Sequence, residues 1–293
     1  MSYKTILVHV DRTPHLADRL AIAAALAERD DGHLVCAAMT GVSRYLYHNE
    51  TVDEQDPHLA LHLNYLREQA QAALAACAPQ LAQARLRSCE RRVIDDDAAT
   101  GLSLHARCAD LVVIGQNDPQ RAAPAILGDL PGHVVMHAGR PVLLVPYAGL
   151  AGNVNGNGAG VGRHILIGWD GGKEAARAVT AALPLLQRAA HVHLAIFDEE
   201  PGGPAGEQAG ADIAQYLARH GVASETVVRH VKRQGLFTQS PAIGDAMLGL
   251  AAELGCDLLV LGAYGHSRLR ETLLGGVTRN VLAATTLPVL MAH

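Results

Sequence analysis

The chain has 293 residues, 49% hydrophobic and 18% charged, with a formal net charge of −5; that length suits two domains of about 130–150 residues each. The acidic balance and the lack of any Lys/Arg-rich run exclude a nucleic-acid surface held by excess basic residues. One Trp and two Phe leave the core to Ala, Leu, Val and Ile, which suits helices layered on a parallel sheet and disfavours all-β folds.

The N-terminus runs directly into an apolar strand, Thr5-Ile-Leu-Val-His-Val ending at Asp11, with no apolar leader segment and no small-residue cleavage site, so export is not indicated. No stretch reaches the ~18 uninterrupted apolar residues of a membrane span. Five cysteines without a Cys-x-x-Cys pair suggest neither a disulfide frame nor a zinc knuckle. A soluble protein of the reducing cytoplasm is expected.

Further along, residues 40–60 form a polar stretch with Tyr45, Tyr47 and Pro57, followed by a helical pattern over Leu59–Leu81. Asp110-Leu-Val-Val-Ile-Gly115 and Arg140-Pro-Val-Leu-Leu-Val-Pro146 read as the last two strands of a first unit, residues 1–147. Residues 148–162, rich in Gly and Asn, form the linker.

The remainder, 163–293, repeats the first unit. His164-Ile-Leu-Ile-Gly-Trp-Asp170 repeats Thr5–Asp11 at a separation of 159 residues, from Asp11 to Asp170. Asp257-Leu-Leu-Val-Leu-Gly262 repeats Asp110–Gly115 at a separation of 147, so the first copy carries about 12 extra residues, placed within 40–60. In the second copy strands are expected at 164–169, 191–197, 224–231, 257–262 and 288–292, and helices near 173–188, 208–220, 240–254 and 276–285. Ser240-Pro241 should open the third of these helices as N-cap and N1. The alternation predicts an α/β fold: two tandem, open, five-stranded parallel sheets with helices on both faces.

Ligands of such sheets sit at the carboxyl ends of the strands where strand order reverses. Three features of the second copy fall at such ends: Asp170 after the first strand, Phe197 at the end of the second, and a glycine loop after the fourth. That loop reads Gly262-Ala-Tyr-Gly265, then nine residues, then Gly275-Gly276-Val277-Thr278. Gly275 and Gly276 leave the first N–H groups of the next helix without a side-chain cap, free for an outside anion, and Thr278 can add a hydroxyl. His266, Ser267, Arg268 and Arg270 lie between the glycines and can add donors or positive charge. Taken singly, Asp170 reads equally well as a helix N-cap, and Gly262 with Gly265 as a turn.

The first copy is an internal control. Asp118 replaces Gly265, Asp129 replaces Gly276 and Pro131 replaces Thr278; Asp129 reads as a helix N-cap. A carboxylate about 4 Å from a phosphate costs on the order of 4 kcal/mol per charge pair at an effective dielectric near 20. Phosphate binding there should be weak or absent. Dinucleotide, P-loop, zinc-protease and serine-hydrolase motifs are missing, and the sixteen histidines form no metal-ligand pairs.

The strand-one Asp, the Gly262/Gly265/Gly275 frame, the Val277-Thr278 that follows and the closing Leu287-Pro-Val strand resemble the universal stress protein family in its tandem form. The resemblance covers the chain outside the linker. It implies an adenine-nucleotide alpha hydrolase-like fold and, in the motif-bearing subclass, ATP binding, with Mg2+ as companion ion. Base and ribose would lie along Gly168, Trp169, Asp170 and Phe197. Phosphates would lie at Gly265, His266, Gly275, Gly276, Val277 and Thr278, with Gly262 a further nucleotide-binding member of the frame. Two departures stand out: Gly276 replaces the usual hydroxyl residue, and Trp169 is bulkier than the usual residue before the Asp. The resemblance also implies pairing of the two copies through their last strands, and a possible homodimer of chains. No residue set resembles a dedicated base aimed at a γ-phosphate, so any ATPase should be slow. The alternatives are a hydrolysing or adenylyl-transferring enzyme using His266 and Asp170, and an interaction module whose glycines are only turns.

Overall fold

The computed structural model describes residues 2–13, 15–43, 57–118, 129–150, 161–198, 204–231, 239–265 and 276–293. The first copy comprises β1 (Thr5–His9), α1 (Leu16–Arg29), β2 (His33–Met39), α2 (Pro57–Ala76), α3 (Ala78–Gln83), β3 (Ser88–Ile94), α4 (Ala98–His105), β4 (Leu111–Gly115), α5 (Leu130–His137) and β5 (Val142–Val145). The second comprises β6 (His164–Gly168), α6 (Lys173–Leu186), β7 (His191–Asp198), α7 (Pro204–Arg219), β8 (Glu225–His230), α8 (Gln239–Glu253), β9 (Leu258–Gly262), α9 (Gly276–Ala284) and β10 (Val289–Ala292). Among the described residues no helix is long and apolar enough to cross a membrane.

Each half is a parallel sheet, and the two join edge to edge into one ten-stranded sheet of order β3-β2-β1-β4-β5-β10-β9-β6-β7-β8. The joint is an antiparallel pairing of the two last strands, Val289 with Leu144, Leu290 with Leu143 and Met291 with Val142. All six residues are fully buried. Pairing satisfies the backbone groups that each short, apolar terminal strand would otherwise leave on an open edge. Gln116 fastens the seam: its Nε2 donates to the carbonyls of Leu282 (3.0 Å) and Ala283 (2.9 Å), and its Oε1 accepts from the Tyr147 N–H at 2.7 Å.

Period-two alternation on the strands sends side chains to two cores, and each core runs through both halves. Helices α1, α2, α6 and α7 cover one face of the sheet, while α4, α5, α8 and α9 cover the other. On the first face the halves are also tied by Tyr3, whose hydroxyl donates to Ala181 O at 2.7 Å, and by Arg188, whose Nη1 donates to Asp30 Oδ1 at 2.5 Å.

Two local expectations are corrected. The helical pattern over 59–81 is two helices broken at Cys77, because Pro79 in the first turn of α3 has no N–H and cannot continue α2. Helix α8 begins at Gln239, so Ser240 and Pro241 lie inside its first turn and not at N-cap and N1. Residues 44–56 and 151–160, which hold most of the inserted stretch and of the linker, lie outside the described residues.

Candidate functional site

In the second half β6 lies between β9 and β7. The chain leaves β6 toward β7 and later returns to β9 on the other side. Strand order therefore reverses between the carboxyl ends of β6 and β9, where open α/β sheets place their ligands. Asp170 follows β6, and Gly262–Gly265 follow β9.

Asp170 is not the N-cap of α6. Gly172 holds that position, and Asp170 Oδ1 accepts the Gly172 N–H at 2.8 Å from two residues upstream. Its second oxygen, Oδ2, is directed at the glycine loop, 3.7 Å from where a Cβ on Gly265 would stand. Gly262 has a packing role: a Cβ there would overlap the backbone nitrogen of Ala175, so its lack of a side chain lets the first turn of α6 rest on the end of β9. Gly168 likewise has its α8-facing side covered, with Met247 Cε 2.8 Å from a notional Cβ. Trp169 is partly buried against the α6/α7 core and donates its backbone N–H to Ala195 O at 2.9 Å. Phe197 packs on the opposite core, so the two expected base contacts lie on opposite faces of the sheet.

The two ends of the glycine frame do meet. Tyr264 adopts φ 55°, a left-handed conformation unusual for an aromatic residue, and its N–H donates to Thr278 Oγ1 at 3.0 Å. That bond ties the loop after β9 to the first turn of α9, where Gly276 is the first helical residue and Thr278 is buried. The Thr278 hydroxyl spends a lone pair on Tyr264 and keeps its own proton to donate. Val277 packs partly against the α8/α9 core. At this junction Gly265 is exposed and Gly276 half-buried, and neither carries a side chain to fill the space. His266 and Gly275, with Ser267, Arg268 and Arg270, lie outside the described residues.

One residue at this crevice was missed from the sequence. Glu174, in the first turn of α6, is 4% exposed, and its Oε2 lies 3.1 Å from the notional Gly265 Cβ. Among the described residues its Oε1 has no hydrogen-bond partner; Lys173 Nζ stands 3.5 Å away on a side chain that is 65% exposed. The available signal was an acid in the first turn of a helix that starts at the carboxyl edge of the sheet.

The equivalent crevice of the first half, between β1 and β4, is filled from within, by a residue other than those expected. Arg19 is 2% exposed, pairs with Asp11 at 2.5 Å and lies against Gly115 so closely that a Cβ there would overlap Nη1. Asp11 also accepts from the backbone N–H and hydroxyl of Thr13 (3.0 and 2.6 Å). A residual cavity of about 10 Å3, next to Arg19, Gln116 and Tyr147, has room for roughly one water. Burial alone would raise the Asp11 carboxyl, but the Arg19 guanidinium, with His9 and the hydrogen bonds, brings it down to about 2. His9, buried beside it, is pushed down to about 4 by burial, against the pull of Asp11. Asp129 occupies the N-cap position of α5, but its side chain makes no capping bond and accepts instead from Asn117 Nδ2 at 3.0 Å.

Comparison with known proteins is consistent with this duplicated geometry. A sequence model described as the Universal stress protein family matches residues 2–146 and again 162–293. A curated relative, Universal stress protein Slr1230 of Synechocystis, is 41% identical over 46 residues, a match spanning 16% of this chain and 16% of that protein. Among solved structures, a universal stress protein from Archaeoglobus fulgidus DSM 4304 superposes with a TM-score of 0.70 at 14% identity, covering 98% of this chain and 95% of the other. A functionally unknown protein from Pseudomonas aeruginosa PAO1 gives 0.57 at 14% identity, over 99% and 92%. At these identities the likeness is one of fold.

Proposed function

Because this chain belongs to the universal stress protein family, we propose that its second half, residues 163–293, binds one ATP as the Mg2+ complex. On this reading residues 1–147 are a paired domain with a degenerate site, 148–162 a linker, and the whole a cytoplasmic stress-response sensor or adaptor, with turnover of ATP slow at most. The observation that carries the reading is the asymmetry of the two crevices. The first is filled by Arg19 paired with Asp11, while in the second Gly265 and Gly276 carry no side chain where the β9 loop meets α9, and no described side chain takes the place of Arg19.

In the second crevice the backbone N–H groups of the first α9 turn, which neither Gly275 nor Gly276 has a side chain to cap, offer donors to a phosphate, and the Thr278 hydroxyl adds another. Asp170, with one carboxylate oxygen held by Gly172, turns the other toward the nucleotide, and Trp169 and Phe197 offer apolar surface on either side of the sheet edge. His266 and Gly275 would complete the phosphate loop. Calorimetric titration of ATP with excess Mg2+ tests the reading. The unmodified protein should bind, and Gly265→Asp, whose side chain would occupy the space between Asp170, Glu174 and the phosphate loop, should abolish binding. Undiminished binding by Gly265→Asp would place the nucleotide elsewhere.

A further inference from the structure

We propose that Asp170 and Glu174 form a carboxylate pair that holds a divalent cation against the nucleotide phosphates, so that the second crevice accepts ATP only as its metal complex. This rests on the reading that ATP occupies that crevice.

The two carboxylates converge on one point. Glu174 Oε2 and Asp170 Oδ2 lie 3.1 and 3.7 Å from the notional Cβ of Gly265, the glycine at which the phosphate loop begins. Glu174 is nine-tenths buried and more, yet among the described residues Oε1 has no hydrogen-bond partner. A carboxylate out of water without a close donor is costly, and the neighbouring Lys173 keeps its ammonium mostly in solvent at 3.5 Å. Bare triphosphate would bring further negative charge to the same place.

The duplicated half shows what is missing. There the strand-one carboxylate, Asp11, is met by the buried guanidinium of Arg19. At the separation of 159 residues that relates Asp11 to Asp170, Ala178 stands in the place of Arg19 and Glu174 in the place of His15. The N-terminal half thus carries its own cation beside the aspartate, while the C-terminal half has an alanine at that position and an acid one turn earlier in the same helix. Two carboxylates are too few to hold the ion alone, and among the described residues no group of three metal-binding side chains occurs. Mg2+, however, is commonly held by one or two carboxylates together with substrate phosphates. The nucleotide would therefore complete the site, and the ion would cancel the repulsion.

The test compares ATP affinity by calorimetry in excess Mg2+ and in EDTA for the full chain, Glu174→Gln and Asp170→Asn, with bound Mn2+ followed by electron paramagnetic resonance. Both substitutions remove one charge at nearly constant shape, and the asparagine in Asp170→Asn keeps a side-chain oxygen to accept from Gly172. The unmodified chain should lose about tenfold or more in affinity when metal is removed, and Mn2+ should be immobilised only when ATP is present. Either substitution should narrow that gap, with metal-free ATP binding better than to the unmodified chain. Equal affinity with and without metal, or an unchanged gap in both variants, would overturn the inference while leaving ATP binding intact. No binding under any condition would remove the ATP reading and this inference with it.

Discussion

Arg19 and Asp11 set the state of the first crevice, and their coupling has a definite size. The Asp11 carboxyl, ordinarily near 3.8, is brought to about 2 against the opposing effect of burial, by Arg19 first and by His9 and Thr13 besides, a net difference worth about 2 kcal/mol at 1.36 kcal/mol per pH unit. A depressed carboxyl stabilises the native state above its unfolded value and loses that contribution as pH falls through the folded one. The stabilisation should therefore be complete above about pH 4 and gone below about pH 2. A double-mutant cycle built from Arg19→Met, Asp11→Asn and the pair, measured by urea denaturation, isolates the term. At pH 7 the coupling should be about 2 kcal/mol, with Arg19→Met alone costing about 3 kcal/mol because it strands a buried carboxylate. High salt should weaken the coupling little, since the Arg19 side chain is 2% exposed and that of Asp11 23%. Coupling below about 0.5 kcal/mol at pH 7 would refute the account of how this crevice is filled.

Two further stability predictions follow from burial and close packing. His9, held near 4 by burial, binds a proton less readily in the native than in the unfolded chain; its stabilisation is full above about pH 6.5 and is lost as pH falls toward 4, about 3 kcal/mol in all. Urea denaturation between pH 7.5 and 4.5 should show that loss, and His9→Gln should flatten it; an unchanged slope would reject the assignment to His9. Gly262→Ala should destabilise by about 1–3 kcal/mol because the added methyl meets the α6 backbone at Ala175. Gly249→Ala, on an exposed position of α8 with open space around it, should instead be neutral or stabilising by up to about 1 kcal/mol. Equal melting temperatures for the two would show that the close approach at Gly262 does not matter.

Much of the architecture was legible because it is written in local pattern. The strands at 164–168, 258–262 and 289–292 are short apolar runs bounded by turn residues, and the repeat separations align the two halves without reference to contacts. The pairing through β5 and β10 came from family likeness, and its outcome, one continuous sheet, depends on edge complementarity that no single strand reveals. The site was only half legible. The glycine frame advertised open backbone at 265 and 276, but one of its members, Gly262, serves helix packing. Arg19 and Glu174 escaped because a charged residue on a helix following a strand reads as solvated surface. Only the fold shows that these helices begin over the sheet's carboxyl edge, turning Arg19 onto Asp11 and Glu174 onto Gly265. Asp129 shows the converse: it has capping grammar, yet its oxygen is taken by Asn117.

Counting bound nucleotides decides whether duplication left one nucleotide-binding crevice and one filled by its own side chain. Native mass spectrometry of the full chain with saturating ATP and Mg2+ counts nucleotides directly. One ATP per chain is expected, lost in Gly265→Asp and retained in Asp11→Asn. Two ATP per chain, or one that survives Gly265→Asp and disappears with Asp11→Asn, would contradict it.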